Sequence, residues 1–331
     1  MPPTTGGTMT IPALPTPGQP PAPSPLLGAY AMAPADPTAA EAFYAGVAGL
    51  DVGGLELPLG PAGSANLEPA WFTRNVQPDW DLLVTCIPAV MGRLGTDAAY
   101  GLSSSDADGR RHALDDVARA RDLAVRLADE HGRRRVVAIQ VHSAPGPGLA
   151  SLDAFTRSLE EILGWDLAGA EALVEHCDAR VPGQPAAKGF WSLADEIAAI
   201  GRVGHAGLSI NWGRSAIEGR SAATALEHVT TAAGAGLLRA VVLSGATDAA
   251  TPWGAPWGDA HIPPRGADPA LAASHASLLG AAEIAATLAA AGPEPLVAVK
   301  VSVRPADADV ATRLAVARAA LDLVATARAA G

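Results

Sequence analysis

The tetrapeptide Glu175-His176-Cys177-Asp178 sets a carboxylate, an imidazole, a thiol and a second carboxylate on consecutive residues at the end of a short apolar run. Comparable runs elsewhere carry Glu56, Thr85, His142, Asn211, Ser244 and Lys300 among their valines, leucines and alanines. A buried carboxylate or amine is costly unless paired, so chance placement at such positions is disfavoured. Two readings follow: an ion-pair network that only holds the protein together, or a reactive pocket. The residue types suit acid–base chemistry, which needs a base of suitable pKa and a positive group for any oxyanion that develops. Glu175 is the candidate base, its carboxyl expected to be raised by burial. Lys300 would stabilise the oxyanion or act as a Schiff-base nucleophile, and Glu56 or His142 would return the proton. The catalytic candidates are thus Glu175, Lys300, His142 and Glu56.

The elements that must position them form one pattern. The apolar runs are 26–33, 54–58, 82–88, 136–143, 172–178, 207–212, 240–244 and 296–303. Helix-like stretches follow at 38–49, 67–75, 107–132, 152–164, 193–202, 222–236, 270–291 and 308–330. Strand then helix, eight times over, predicts an α/β fold of the (β/α)8 TIM-barrel type, with its chemistry at the C-terminal strand ends. Alternate strand residues face the helices and the barrel interior. Val297, Val299, Val301 and Val303 share the outward phase, which leaves Lys300 and Ser302 inward. The same alternation points Glu56, Thr85, His142, Glu175, Asn211 and Ser244 inward, and turns His176 toward the helix layer.

Two connections add ligand-binding side chains. The segment Asn211-Trp212-Gly213-Arg214-Ser215-Ala216-Ile217-Glu218, read as a loop, offers Asn211, Trp212, Arg214 and Glu218. The longer stretch from Thr251 to Pro264 brings Trp253, Trp257, Asp259 and His261, and reads as a lid whose tryptophans either stack on a sugar or only pack on the rim. A small-molecule carbohydrate is the expected partner. The Gly/Pro segment after His142 has no phosphate-loop spacing, so no nucleotide cofactor is expected.

A net charge of −11 over 331 residues argues against nucleic acid and anionic membranes, both of which need a basic face. No apolar stretch reaches the roughly 20 residues of a membrane-spanning helix. Cys86 and Cys177, each in an apolar run, read as buried free thiols of a cytoplasmic protein. Met1–Pro25 holds nine prolines and no basic residue. It is expected to be a disordered tail, neither signal nor transit peptide, leaving 26–331 as the barrel. A homo-oligomer is compatible with the sequence.

Val174-Glu175-His176 resembles the strand-five segment of the xylose-isomerase-like sugar isomerases and epimerases. From about Leu27 onward the chain resembles a bacterial family, DUF4862, carried by Gly54-Leu55-Glu56-Leu57-Pro58, His142-Ser143-Ala144-Pro145, Glu175-His176-Cys177-Asp178, Ile210 to Glu218, and Asp259-Ala260-His261. The superfamily resemblance implies one divalent ion held by Glu, Asp, His and Glu from strands five to eight. Here only Glu175 matches; strands six, seven and eight present Asn211, Ser244 and Lys300. Either Lys300 supplies the charge, or Zn, Mn or Mg is held differently, by Glu175 with His142, Asp259 or His261. The leading expectation is a sugar or sugar-derivative isomerase or epimerase acting by proton abstraction next to a carbonyl, with enolisation giving an enediolate. The alternatives are a lyase or deglycosidase on an oxidised keto glycoside, and a non-catalytic sugar-binding protein.

Overall fold

Eight parallel strands pair in chain order and close, β8 returning to β1. They are β1 (Leu26–Leu27), β2 (Gly54–Pro58), β3 (Asp81–Thr85), β4 (Val136–Val141), β5 (Glu171–His176), β6 (Gly207–Asn211), β7 (Leu238–Leu243) and β8 (Leu296–Val299). The computed structural model describes residues 23–64 and 67–330, so the proline-rich tail expected over Met1–Pro25 falls, apart from Pro23–Pro25, outside the described residues. Ten α-helices wrap the barrel among the described residues: α1 (Pro37–Val47), α2 (Pro69–Asn75), α3 (Ile87–Leu94), α4 (Ala107–His131), α5 (Leu152–Leu163), α6 (Leu193–Val203), α7 (Trp212–Gly219), α8 (Ala222–Gly234), α9 (Ala281–Ala291) and α10 (Val310–Ala330). None is long and apolar enough to cross a membrane.

Local chemistry sets most boundaries. Asp36, Asp106, Ser151, Ser192 and Ser221 each accept a backbone N–H in the first turn of α1, α4, α5, α6 and α8, satisfying donors the helix cannot. Gly132, at φ 64°, ends α4 in the left-handed conformation.

Two apolar layers follow from strand parity. Leu26, Leu83, Ala138, Leu173, Ala240, Val242 and Ala298 pack inside the barrel. The intervening residues, among them Leu55, Leu82, Val84, Ile139, Val174, Ile210 and Val241, pack against the helices. Further along the strands the interior turns polar, beginning where Gln140 donates to the Ser209 hydroxyl at 2.7 Å.

Four segments depart from the sequence expectation. The first run gives a two-residue strand and then a 3-10 turn at Ala29–Ala31. The third run stops at Thr85, and Ile87-Pro88 opens α3, as proline suits a helix's first turn. Asn211–Glu218 is no loop: Asn211 caps α7 by accepting from Arg214 N. The alanine-rich stretch 270–291 divides into a 3-10 turn (Pro269–Ser274) and α9, because Arg265 gathers the Ser277 and Leu278 carbonyls between them.

At the entry to β2, a side chain on Gly54 (φ 157°) would meet the Asp81 carbonyl at 1.8 Å. Gly54→Ala is expected to cost about 2 kcal/mol or more, because backbone has to shift. Denaturant unfolding checks this, and a midpoint equal to wild type would show that the β2–β3 register tolerates the shift.

Candidate active site at the barrel mouth

Glu175, near the end of β5, is the hub of the polar interior. Its Oε2 lies 2.7 Å from His142 Nε2 and 3.5 Å from the Thr85 hydroxyl. Its Oε1 accepts from Arg214 Nη1 at 2.7 Å and Asn211 Nδ2 at 3.1 Å. Asn211 therefore serves twice, its amide oxygen starting α7 and its amide nitrogen holding Glu175. That cap aims Arg214, on the first turn of α7, back into the barrel.

Arg214 also donates through Nε to Asp259 Oδ2 at 3.2 Å and through Nη1 to Cys177 Sγ at 3.3 Å. Asp259 carries Lys188 at 2.9 Å and lies 3.5 Å from His261 Nδ1, which meets the Ser244 hydroxyl at 2.9 Å. A second pair completes the group: Lys300 Nζ donates to Glu56 Oε1 at 2.7 Å, beside the Tyr30 ring. Glu56, His142, Glu175, Arg214 and Lys300 are at most 1% exposed, so the mouth is closed over them. Two buried atoms of the group lack a hydrogen-bond partner, Glu56 Oε2 and His142 Nδ1.

Charge sets the protonation of each group. Burial would raise Glu175, but Arg214, His142 and Lys300 outweigh it and hold the carboxyl well below its usual range. This overturns the expectation of a carboxyl raised by burial. Burial does raise Glu56, against the opposing pull of Lys300. For Lys300, burial is outweighed by Glu56 and Tyr30, and the amine is held above its usual value as an ammonium. A Schiff-base role would need the opposite shift, a depressed amine. Burial lowers His142, with Arg214 and Lys300 adding to it against Glu175. With Glu175 ionised and the imidazole neutral, the His142 proton sits on Nε2, and Nδ1 keeps its lone pair. Burial also pushes His261 down to about 3, and keeps the buried Cys177 thiol protonated.

Two groups of donors among the described residues are close enough to coordinate a divalent ion: His142, Glu175 and Cys177, and separately His176, Glu218 and His228, each within 4.8 Å of one another. Asp259 and His261, the other expected ligands, belong to neither group, because Arg214 stands between Glu175 and Asp259. The superfamily's four-ligand set does not fit these residues. Both Glu175 oxygens are engaged, and a guanidinium and an ammonium supply the positive charge that an ion would bring.

The DUF4862 profile, described as a domain of unknown function, matches residues 26–316. The chain belongs to the DUF4862 family. An uncharacterized protein of Salmonella typhimurium is 35% identical over 207 residues, 60% of this chain and 63% of that protein, so the matched part falls short of two thirds of the relative's length. Solved structures share the DUF4862 fold at low identity. A xylose isomerase domain protein from Alicyclobacillus acidocaldarius aligns with a TM-score of 0.54 at 15% identity, over 92% of this chain and 99% of its own. D-psicose 3-epimerase, solved in the presence of D-fructose, gives 0.52 at 16%, over 85% and 91%. A xylose isomerase-like TIM barrel protein from Mycobacterium smegmatis, solved in complex with magnesium, gives 0.51 at 14%, over 93% and 98%.

Not every candidate of this DUF4862 chain reaches the Glu175 group. Glu56, His142, Asn211, Arg214 and Lys300 do, with Asp259 and His261 joined to them through Arg214. Glu218 does not: one helical turn past Arg214, it faces the helix layer and bonds His176 and Ala179. Trp212 is buried in the outer core. Trp257 is half-buried and lies under the Arg220 guanidinium, 5.4 Å from it. Trp253 is anchored at the rim, its indole N–H donating to Ser302 at 2.9 Å. Two participants escaped the sequence reading. Tyr30 continues the inward phase of Leu26 and Gly28, a signal that was available. Lys188, which pairs with Asp259, lies on the connection after β5, where strand parity gives none.

Lys300→Met should strand the Glu56 carboxyl and cost about 3–5 kcal/mol, most of it recovered by the double variant Glu56→Gln/Lys300→Met. Chemical denaturation of the four proteins tests the pair, and additive losses would mean that the two residues do not depend on each other. For His142, burial makes the native state resist a proton that the unfolded chain accepts near pH ~6.5. Its share of stability is full above that value and declines as pH falls below it, by at most about 1.4 kcal/mol per unit. The melting temperature of His142→Asn should therefore fall less steeply than wild type between about pH 6.5 and 5; parallel curves would contradict a neutral native imidazole.

Proposed function

We propose that this protein is an isomerase or epimerase of a sugar or sugar derivative, working by proton abstraction next to a carbonyl. One observation carries the reading: His142 Nδ1 is buried and without a partner, while Nε2 is fixed 2.7 Å from an ionised Glu175. A neutral imidazole with one nitrogen tied to a carboxylate presents the other as a general base, and the carboxylate stabilises the imidazolium that forms. Glu175 orients the base and does not take the proton itself, since Arg214 and Asn211 saturate its other oxygen. Catalysis of enolisation also needs positive charge where the oxyanion develops. The Lys300 ammonium, held by Glu56, supplies it within the same closed interior. The His142 imidazolium returns the proton to the enediolate, and Glu56 Oε2, unpartnered beside Lys300, is free to accept a substrate hydroxyl. The likeness in fold to D-psicose 3-epimerase and a xylose isomerase domain protein supports sugar chemistry, and the all-buried group supports exclusion of water during the step.

The test is deuterium entry from D2O into a panel of aldoses, ketoses and keto sugars, followed by mass spectrometry. Wild type should label its substrate at the carbon next to the carbonyl. His142→Asn should slow labelling by about 10²-fold or more, the scale of a lost general base. Glu175→Gln should slow it comparably, because the amide no longer enforces the Nε2–H tautomer. Labelling that persists in His142→Asn would remove His142 from the base role, and labelling absent from every sugar for wild type would refute the reaction class.

A further inference from the structure

Strand β5 carries a second polar group on its opposite face. His176 turns away from the barrel interior into the layer of α6, α7 and α8, fully buried. Its Nδ1 lies 2.7 Å from Glu196 Oε2, and its Nε2 lies 3.1 Å from Glu218 Oε2. The imidazole of His228, on α8, stands edge-on to His176 with ring centroids 4.8 Å apart. His228 Nε2 faces Glu218 Oε1 at 3.7 Å, and its Nδ1 meets the Ser215 hydroxyl at 3.0 Å.

We propose that His176 Nε2, His228 Nε2 and Glu218 bind one Zn²⁺ between β5 and the α7–α8 layer, at a site distinct from the barrel mouth. Spacing is the first argument. Tetrahedral zinc with ligands about 2.0–2.2 Å away keeps donor atoms roughly 3.3–3.5 Å apart. His176 Nε2 lies 3.1 Å from one Glu218 oxygen and His228 Nε2 3.7 Å from the other, the second too long for a hydrogen bond, and the ligand atoms of all three residues lie within 4.8 Å of one another. Orientation is the second. Metal-binding histidines give their other ring nitrogen to a carboxylate, hydroxyl or carbonyl that fixes ring and tautomer. Both rings meet this condition, through Glu196 for His176 and through Ser215 for His228. Glu196 is itself held by the Ser143 hydroxyl at 2.5 Å.

Two histidines and one carboxylate match zinc's preference for nitrogen with some oxygen. Access is also provided, since the Glu218 and His228 side chains keep 15% and 12% exposure, enough for an ion and a water ligand to enter. Glu218 Oε2 accepts the Ala179 backbone N–H at 2.7 Å. An ion on this carboxylate would therefore tie the segment after β5, which carries Asp178, to two helices. The role is structural, cross-linking three elements behind the catalytic face.

Zinc and cobalt titration of the chelator-treated full-length protein tests the site without any substrate. Wild type should take up one Zn²⁺ per chain and gain thermal stability. Co²⁺ should give visible ligand-field bands without a thiolate-to-cobalt charge-transfer band, since no cysteine is a ligand. His228→Gln should weaken zinc binding by about a hundredfold or more, while His142→Asn, on the other face of the barrel wall, should leave it unchanged. His228→Cys should keep the metal and introduce the thiolate band, a positive readout that an unfolded variant would not give. Absence of zinc binding at micromolar concentrations in wild type, a thiolate band in wild type, or loss of binding in His142→Asn in place of His228→Gln would each overturn the proposal.

Discussion

The buried Glu175 carboxylate is the constraint around which the barrel mouth is arranged. A charge removed from water is tolerable only if its lone pairs are filled, and here four side chains from four different elements fill them. Thr85 ends β3, His142 follows β4, Asn211 ends β6, and Arg214 belongs to α7. Each is aimed inward by the strand or helix that carries it, so the closure of the sheet is what brings the partners within reach. The same carboxylate sets the tautomer of His142 and, through Arg214, the position of Asp259 on the long connection after β7. The chemistry proposed for the site depends on this one ion being made, and kept, in a place without solvent.

Positive charge takes the place in the mouth that the superfamily resemblance gives to a metal ion. The strand-eight position holds a lysine, and the carboxylate of strand five is bonded to an arginine. These cations are fixed by Glu56, Asp259 and Glu175, so the charges nearly balance within the buried group. A fixed ammonium stabilises a developing oxyanion by the same electrostatics as a Lewis acid, and it needs no reorganisation when the charge appears. That is why divergence at three ligand positions is compatible with enolisation.

Strand β5 separates two polar networks that lie back to back. Glu175 serves the interior and His176 the helix layer, because successive side chains on a strand point to opposite faces. Helix α7 also serves both networks, but by displacement along its axis, since residues four apart lie on the same side of a helix. Arg214 on its first turn reaches the barrel, while Glu218, four residues on, meets His176. The stretch from 211 to 219 thus contributes to both faces of the wall, and Asn211, as its cap, links the two.

How much of this was legible in the chain depends on the range of the interaction concerned. The alternation of eight apolar runs with helical stretches established the barrel, and the two-residue strand period put Glu56, His142, Glu175, Asn211 and Lys300 on one face and His176 on the other. Both are local regularities, set by backbone geometry and readable in a window of a few residues. The partners were not readable. Glu175 was expected to be a raised base, yet Arg214 holds it ionised; that change comes from a residue 39 positions away along the chain. Asn211–Glu218 looked like a loop because its polar residues resemble turn chemistry, and only the capping contact and the packing of Trp212 make it a helix that turns Glu218 outward. Sequence pattern carries direction along a strand, whereas protonation and pairing depend on which distant side chains the closed barrel brings within a few ångströms.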